Sequence, residues 1–153
     1  MFSTIFVYNQ YMILAIDYGK KRIGLALGIV IPRGIGVIDG ALKEDEILEK
    51  IKKICDENDV EKIVIGLPFR SQGEIGSLGD EIKLFSINLC SQTNLPVFFQ
   101  DEQFSSSEAE RLIGKISKDT RRSGKVDEIA ATLILESFLD RKEDIKPDIE
   151  PKK

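Results

Sequence analysis

Residues Met12–Asp17 (MILAID) form a continuous apolar run that ends in an acid. A strand in the middle of a sheet with helices on both faces has this pattern, because neither of its faces meets water. The next two apolar runs, Ile23–Leu27 and Gly34–Ile38, follow after short connections that contain glycine and Pro32. Short connections of this kind favour antiparallel neighbours. The beginning of the chain therefore predicts a three-stranded meander built on a buried strand.

After the meander, the apolar spacing alternates between helix and strand periods. Residues 44–58 have apolar side chains at helical spacing, and Lys62–Ile65 is a β-branched strand. The alternation continues with a helix at Leu78–Leu89, a strand at Pro96–Asp101, and helices at Ser107–Ile116 and Asp127–Leu139. The predicted fold class is α/β, a five-stranded mixed sheet in the order β-β-β-α-β-α-β-α-α with helices on both faces. Right-handed crossovers place the fourth and fifth strands beside the first.

The chain is predicted to form one domain over residues 12–140. Its 153 residues are close to the size of an average domain. Residues 1–11 fit the rest poorly, and we interpret them as an N-terminal extension before a natural start at Met12; a short extra edge strand is the alternative. Residues 141–153 contain two prolines and many charges, which is typical of a flexible tail.

Acidic residues occur where a mixed sheet of this kind binds ligands, outside the carboxyl ends of its strands. Asp17 ends the first strand, Asp101 and Glu102 end the fifth, and Asp127 begins the last helix. Carboxylates crowded into one cleft repel each other, and a divalent cation such as Mg²⁺ removes that cost. The cluster therefore predicts a metal site that could hydrolyse phosphodiesters. The alternative is that Asp17 shapes a turn, Glu102 is an exposed strand end and Asp127 complements a helix dipole.

The chain contains no histidine, which excludes several kinds of catalysis. Ser-His-Asp sites, Cys-His sites and histidine-ligated zinc are ruled out. The two cysteines, Cys55 and Cys90, are too few for an all-cysteine zinc site and lie in apolar patterns typical of buried free thiols in a reducing cytosol. No apolar run reaches the roughly 18 residues of a membrane span, so we expect no membrane partner. The two free thiols favour a cytoplasmic protein.

Basic side chains flank the acidic positions, although the whole chain has a net charge of −4. Charge effects act over only about 10 Å at 0.1 M salt, so a local basic patch can still hold phosphates. The candidates for nucleic-acid contacts are Lys21, Arg22, Arg111, Arg121, Arg122 and Lys125. An ordinary solvated surface is the alternative interpretation. Candidates for a phosphate loop with inward backbone N–H groups are Gly66, Leu67, Pro68 and Gly73.

Four motifs occur together in one order: MILAIDYGKKRIGLALG, Gly66-Leu67-Pro68, Asp101–Ser106 and Lys125–Ala131. They match an Asp-x-Gly-x-Lys-Arg-Ile-Gly opening, a Gly-Leu-Pro loop, an Asp-Glu-Arg-φ-Thr-Thr stretch and a Lys-x-Asp-x-x-Ala-Ala ending. The set resembles the YqgF family, also called RuvX, of nucleases similar to Holliday junction resolvases. Gln103 stands where the family usually has arginine, which removes a charge from the expected substrate contacts.

The resemblance implies a ribonuclease H-like fold and a catalytic triad, Asp17, Glu102 and Asp127, that binds Mg²⁺ or Mn²⁺. It also implies maturation of the 5′ end of pre-16S ribosomal RNA, with structured RNA as the partner and branched DNA as the alternative. The oligomeric state, monomer or homodimer, stays open, because no feature of the sequence demands a dimer. Two other functions stay open. A non-catalytic RNA-binding assembly factor on the same fold needs the basic residues but not the triad. The other is an actin- or sugar-kinase-like phosphotransferase, because Asp17-Tyr18-Gly19 followed by a hairpin also resembles the first phosphate loop of that superfamily.

Overall fold

The secondary structure is taken from a computed structural model that describes residues 10–68, 77–102, 124–141 and 145–152. The strands are β1 (Ile13–Asp17), β2 (Arg22–Gly28), β3 (Arg33–Asp39), β4 (Lys62–Pro68) and β5 (Val97–Glu102). The described helices are α1 (Glu44–Glu57), α2 (Ser77–Thr93) and α3 (Lys125–Leu139). The helix predicted at Ser107–Ile116 lies outside the described residues, as does the side chain of Glu102.

The five strands form one mixed sheet in the order β3-β2-β1-β4-β5. β1 pairs antiparallel with β2, and β2 with β3, as the short connections predict. β4 pairs parallel with β1, as predicted. The fifth strand was wrongly placed beside the first: β5 pairs parallel with β4 and lies beyond it, at the edge of the sheet. The predicted α/β class, the mixed sheet and the central position of β1 are confirmed.

Successive side chains of β1 enter two separate apolar cores. Leu14 and Ile16 are fully buried on the face covered by α1 and α2. Ile13 and Ala15 are buried on the opposite face, which α3 covers. Because both faces of β1 are covered, every position of the strand up to its last residue must be apolar, and this explains the continuous run in the sequence.

The first two helices begin and end where local chemistry favours it. α1 opens with three acids, Glu44, Asp45 and Glu46, which interact favourably with the partial positive charge at a helix N-terminus. Beyond its end, Asp59 has a left-handed backbone with φ of 52°, and Asn94 follows α2 with φ of 58°. Aspartate and asparagine tolerate this conformation better than most residues, so both sites terminate a helix at modest cost.

Two segments differ from the sequence expectation. Gly66, Leu67 and Pro68 were expected in a loop, but they continue β4 and pair with the end of β5. The described part of the C-terminal segment, residues 145–152, forms backbone hydrogen bonds with Val97 instead of standing free of the domain. An unpaired outer edge of β5 explains the second difference, because exposed strand edges are readily covered by a neighbouring segment.

Cys55 and Cys90 are buried and free, as their sequence patterns predict. The pKa of Cys55 is raised to about 12, and burial is the largest cause. Burial also raises the pKa of Cys90. Within the described ranges, the helices are too short or too polar to cross a membrane.

Candidate active site

Asp17 lies at the carboxyl end of β1, directly opposite Gly24 of β2 in the antiparallel register. The turn that follows it is fixed from the other face of the sheet. There the ring of Tyr18 packs against Phe85 of α2, with ring centroids 4.8 Å apart. The pKa of Tyr18 is raised to about 12. Burial is the largest cause, and a hydrogen bond to Glu81 and the negative charge of that carboxylate add to it. Tyr18 therefore attaches the end of β1 to α2, directly after Asp17.

The first turn of α3 rests directly on Gly24. A Cβ added to Gly24 would lie 2.0 Å from the backbone oxygen of Asp127 and 3.1 Å from its Cβ. Gly34 on β3 makes a similar contact, since a Cβ there would lie 2.4 Å from Cγ of Glu128. Only glycine leaves room for the helix to approach this closely. Gly24 therefore sets the height of α3 above the sheet, because its contact is with the helix backbone, whereas the contact at Gly34 is with a side chain.

Asp17 and Asp127 are brought together by these contacts, because both border Gly24. Directly opposed residues of an antiparallel pair have Cα atoms about 4.5–5.5 Å apart. Asp127 covers the same glycine from the α3 side. Both acids are partly buried. The last residue of the central strand and the first turn of α3 thus place two carboxyl groups at one end of the sheet.

The electrostatics of Asp127 reflect two opposing effects. Burial is the largest effect and raises the pKa of its carboxyl group, because desolvation disfavours the charged form. The positive charge of Arg22 and a backbone hydrogen bond lower it. Arg22 is the first residue of β2, and its Cδ would lie 3.2 Å from a Cβ added to Gly124, just before α3. The arginine is therefore a near neighbour of the helix turn that contains Asp127.

Glu102 ends β5, and its backbone position follows from the strand register. β4 lies between β1 and β5: Ile16 pairs with Ile65, and the next residue, Gly66, pairs with Gln100. Two residues further along both strands, Glu102 is opposite Pro68. Residues of equal parity lie on the same face of a sheet, and two strand spacings amount to about 9.5 Å. By register, Glu102 is on the α3 face, as Asp17 is, but two residues beyond the row that contains Asp17, Gly66 and Gln100.

The donor set suits a hard cation. Asp17 and Asp127 offer carboxylate oxygens, which Mg²⁺ and Mn²⁺ prefer over nitrogen or sulfur ligands. Two carboxylates alone do not complete a site: within the described residues, no three Asp, Glu, Cys or His side chains lie close enough to hold a metal ion. The side chain of Glu102, the third acid of the predicted triad, is outside that set.

The predicted phosphate contacts are only partly within the described residues. Lys21 is exposed in the turn between β1 and β2, and its carbonyl oxygen accepts a hydrogen bond from the backbone N–H of Gly40, with 2.9 Å between nitrogen and oxygen. Lys125 forms an ion pair with Glu128 at 2.7 Å, with half of the lysine side chain exposed. The predicted contacts outside the described residues are Gly73, Arg111, Arg121 and Arg122.

The described surface also contains a cavity of about 510 Å³, but on the α2 face. Leu67, Phe99 and Asp101 from the sheet line it together with Lys83 and Ile87 from α2. Asp101 therefore points away from the face on which Asp17 and Asp127 meet. The two neighbouring acids at the end of β5 thus occupy opposite faces by register.

Sequence reasoning missed the structural role of Gly24 and Gly34 and the proximity of Arg22 to Asp127. A signal for the glycines was present, because glycine inside an apolar strand often marks a close backbone approach. The arginine gave no such signal, since its neighbour comes from a helix more than a hundred residues later in the chain. The sequence predicts phosphate binding for Arg22 and does not indicate that it lies near Asp127.

Known proteins resemble this chain in sequence and in fold. A family profile described as "RuvX: Holliday junction resolvase" matches residues 11–141. A Clostridium botulinum protein named "Putative pre-16S rRNA nuclease" is 40% identical over 136 residues, covering 84% of this chain and 96% of its own. A Carboxydothermus hydrogenoformans protein of the same name is 39% identical, covering 85% and 96%. Among solved structures, Thermus thermophilus RuvC with a Holliday junction substrate matches 84% of this chain and 94% of its own, at a TM-score of 0.55 and 14% identity. This likeness shows a ribonuclease H-like fold.

Proposed function

The chain belongs to the RuvX family, and we propose that it is a metal-dependent nuclease that processes the 5′ end of pre-16S ribosomal RNA. The observation that supports this most is the meeting of Asp17 and Asp127 over Gly24 at the carboxyl end of β1. Crowded carboxylates at this end of a mixed sheet are costly unless a cation joins them. Curated relatives named as nucleases make a phosphodiester the fitting substrate.

In this proposal, Asp17, Glu102 and Asp127 hold one or two Mg²⁺ or Mn²⁺ ions. When bound, such ions supply charge neutralisation and water activation for phosphodiester hydrolysis. Asp17 is central because β1 lies between two strands of the site. On one side is β2, whose Gly24 contacts Asp127, and on the other is β4, which pairs with β5. Arg22 favours the charged form of the Asp127 carboxyl group, which is the form that binds a cation. Gly24 keeps α3 close enough for Asp127 to share the site with Asp17.

Basic residues position the nucleic-acid backbone in the same proposal. Lys21 and Arg22 lie in and just after the turn that follows Asp17, at the same end of the sheet as the carboxylates. Lys125 opens α3 two residues before Asp127 and is half exposed. Structured RNA is the proposed substrate, and branched DNA is the alternative substrate for the same chemistry. A cytoplasmic location follows from an RNA substrate of this kind.

The proposal is tested by cleavage of end-labelled pre-16S leader RNA and of a four-way DNA junction, with Mg²⁺, Mn²⁺ or EDTA. Asp17→Asn removes the central carboxylate, and Asp45→Asn is the matched control because Asp45 is an exposed acid of α1, on the other face of the sheet. We expect RNA cleavage that requires the metal, is lost in Asp17→Asn and is kept in Asp45→Asn.

Each other outcome has a definite meaning. Cleavage of the junction but not of the RNA would replace the RNA substrate with branched DNA. RNA binding without cleavage, unchanged by EDTA and by Asp17→Asn, would contradict the nuclease proposal and favour an RNA-binding assembly factor. Equal activity of Asp17→Asn and wild type would remove Asp17 from the site.

A further inference from the structure

β5 is the outer strand on one side of the sheet, so one row of its backbone groups faces away from β4. Pro96, just before the strand, accepts a hydrogen bond from the N–H of Ile63 in β4. Because backbone groups alternate in direction along a strand, the N–H and C=O groups of Val97, Phe99 and Asp101 point away from β4. Such groups are available for pairing with another segment.

The C-terminal segment of this chain satisfies the outward groups of Val97. The Val97 N–H donates to the carbonyl oxygen of Ile149 at 2.9 Å. The Val97 carbonyl accepts from the N–H groups of Asp148 and Ile149 at 2.9 and 3.0 Å. Residues 148 and 149 therefore extend the sheet by a single antiparallel bridge.

Two side chains hold the next outward residue, Phe99. Its N–H donates to Oδ2 of Asp148 at 2.8 Å, and its carbonyl accepts from Nη1 of Arg141 at 3.2 Å. The same Arg141 nitrogen donates to Oε1 of Gln100 at 3.0 Å. Both backbone groups of Phe99 are thus bound by side chains. We call Arg141 and Asp148 the edge clamp.

The edge clamp joins elements that lead to the site. Arg141 is two residues beyond the end of α3, the helix whose first turn contains Asp127. Its guanidinium lies over the ring of Phe138, 5.7 Å from the ring centroid, so it is tied to α3 while it bonds to β5. Gln100, the side chain that it binds, is opposite Gly66 in the register row that also contains Asp17. Glu102 is three residues beyond the clamped Phe99.

We propose that Arg141 and Asp148 are positioning residues that fix the carboxyl end of β5, and with it Glu102, relative to α3 and β1. This inference rests on the proposed function, because it assigns Glu102 to the metal site. An edge strand without the clamp would fray beyond Val97, and Glu102 would lose its fixed height beside the other two acids. The clamp acts through Glu102 and does not touch the substrate.

The test compares Asp148→Ala, which removes the acceptor for the Phe99 N–H, with Asp148→Asn, whose amide oxygen can still accept that hydrogen bond. Glu150→Ala is the matched control, because it removes an exposed carboxylate from the same segment. Arg141→Ala removes the other half of the clamp. Two measurements are made on the full chain: amide hydrogen exchange of Phe99 and Glu102, and kcat and KM for the substrate that wild type cleaves.

In Asp148→Ala, we expect the Phe99 amide to exchange at least about tenfold faster and the Glu102 amide to exchange faster as well. We expect kcat to fall about tenfold with KM nearly unchanged, because the basic residues proposed to bind the nucleic-acid backbone lie elsewhere. Arg141→Ala should lower kcat in the same way, whereas Asp148→Asn and Glu150→Ala should behave as wild type. Rescue by asparagine distinguishes lost positioning from a general loss of stability.

The inference is overturned if exchange at Phe99 and Glu102 is unchanged in Asp148→Ala, because the clamp would then not hold the strand end. It is also overturned if exchange accelerates while kcat stays at the level of Glu150→Ala, because Glu102 would then not depend on the clamp. If wild type cleaves neither substrate with any metal, the proposed function fails. The affinity of each variant for Mn²⁺ is then measured instead of kcat. A drop in affinity in Asp148→Ala but not in Asp148→Asn supports the clamp, and equal affinities overturn it.

Discussion

Replacing Gly24 by alanine should displace the helix turn that contains Asp127. The added Cβ would lie 2.0 Å from the backbone oxygen and 2.4 Å from the backbone carbon of Asp127. Contacts of this kind do not occur below 3.0 Å, so α3 must rise by about 1 Å. The neighbour is backbone within a helix and cannot rotate away, as the end of a side chain could.

The magnitude follows from two opposing effects. Overpacking a closely packed contact costs about 1–3 kcal/mol of unfolding free energy. Alanine restricts the unfolded chain more than glycine does, which returns about 0.4–1 kcal/mol. The net loss is about 1.5 kcal/mol, or about 3–6 °C in Tm for a chain of this size. A 1 Å misplacement of a catalytic group costs about 100-fold in rate, so the rate of RNA cleavage should fall far more than stability does.

Gly34→Ala is the matched control for Gly24→Ala. Its Cβ would meet Cγ, Cδ and Oε1 of the Glu128 side chain, all within 3 Å, but these atoms can rotate aside. The loss of the surface ion pair with Lys125 costs at most about 1 kcal/mol. Calorimetry and cleavage assays on both variants test the reasoning. It is refuted if Gly24→Ala melts within about 1 °C of wild type at full activity, or if Gly34→Ala loses as much activity.

Three further predictions concern charge, thiol reactivity and packing. Arg22→Gln removes the positive charge that lowers the pKa of Asp127, so that pKa should rise in an NMR carboxyl titration of the metal-free protein; an unchanged value would contradict their proximity. Cys55 and Cys90 are buried with raised pKa values, so neither should react with a thiol reagent at pH 8 until the protein is unfolded; rapid labelling of the native chain would contradict this. Phe138→Ala removes a buried ring that packs edge-on against an aromatic side chain of β5, and should cost about 3–5 kcal/mol in urea unfolding; a cost below about 1 kcal/mol would exclude this packing.

The central position of β1 and the two-sided sheet could be predicted from the sequence because local patterns encode them. The continuous apolar run of Met12–Asp17 requires burial on both faces, and the spacing in residues 44–58 fits only a helix. The end of β4 was harder, because Gly66 and Pro68 are turn-forming residues in sequence. Pairing with β5 outweighs that preference, and such pairing depends on residues about thirty positions away.

The candidate site was predictable as a set of acids at strand ends, but its geometry was not. The rule that ligands bind at the carboxyl ends of strands indicates Asp17 without any contact information. The approach of Asp127 depends on the absence of a side chain at Gly24, which a pattern of apolar residues does not reveal. The attachment of residues 148 and 149 to β5 was missed because charge and proline content favour a free tail, whereas an unpaired strand edge favours pairing.

Mn²⁺ binding measured by calorimetry tests the central claim most directly, that Asp17, Glu102 and Asp127 form one metal site. We predict at least about tenfold weaker binding in Asp17→Asn, Glu102→Gln and Asp127→Asn. Asp101→Asn is the control, because Asp101 lines the cavity on the α2 face, and it should bind Mn²⁺ as wild type does. Loss of binding in Asp101→Asn together with normal binding in Glu102→Gln would contradict the register argument and the triad.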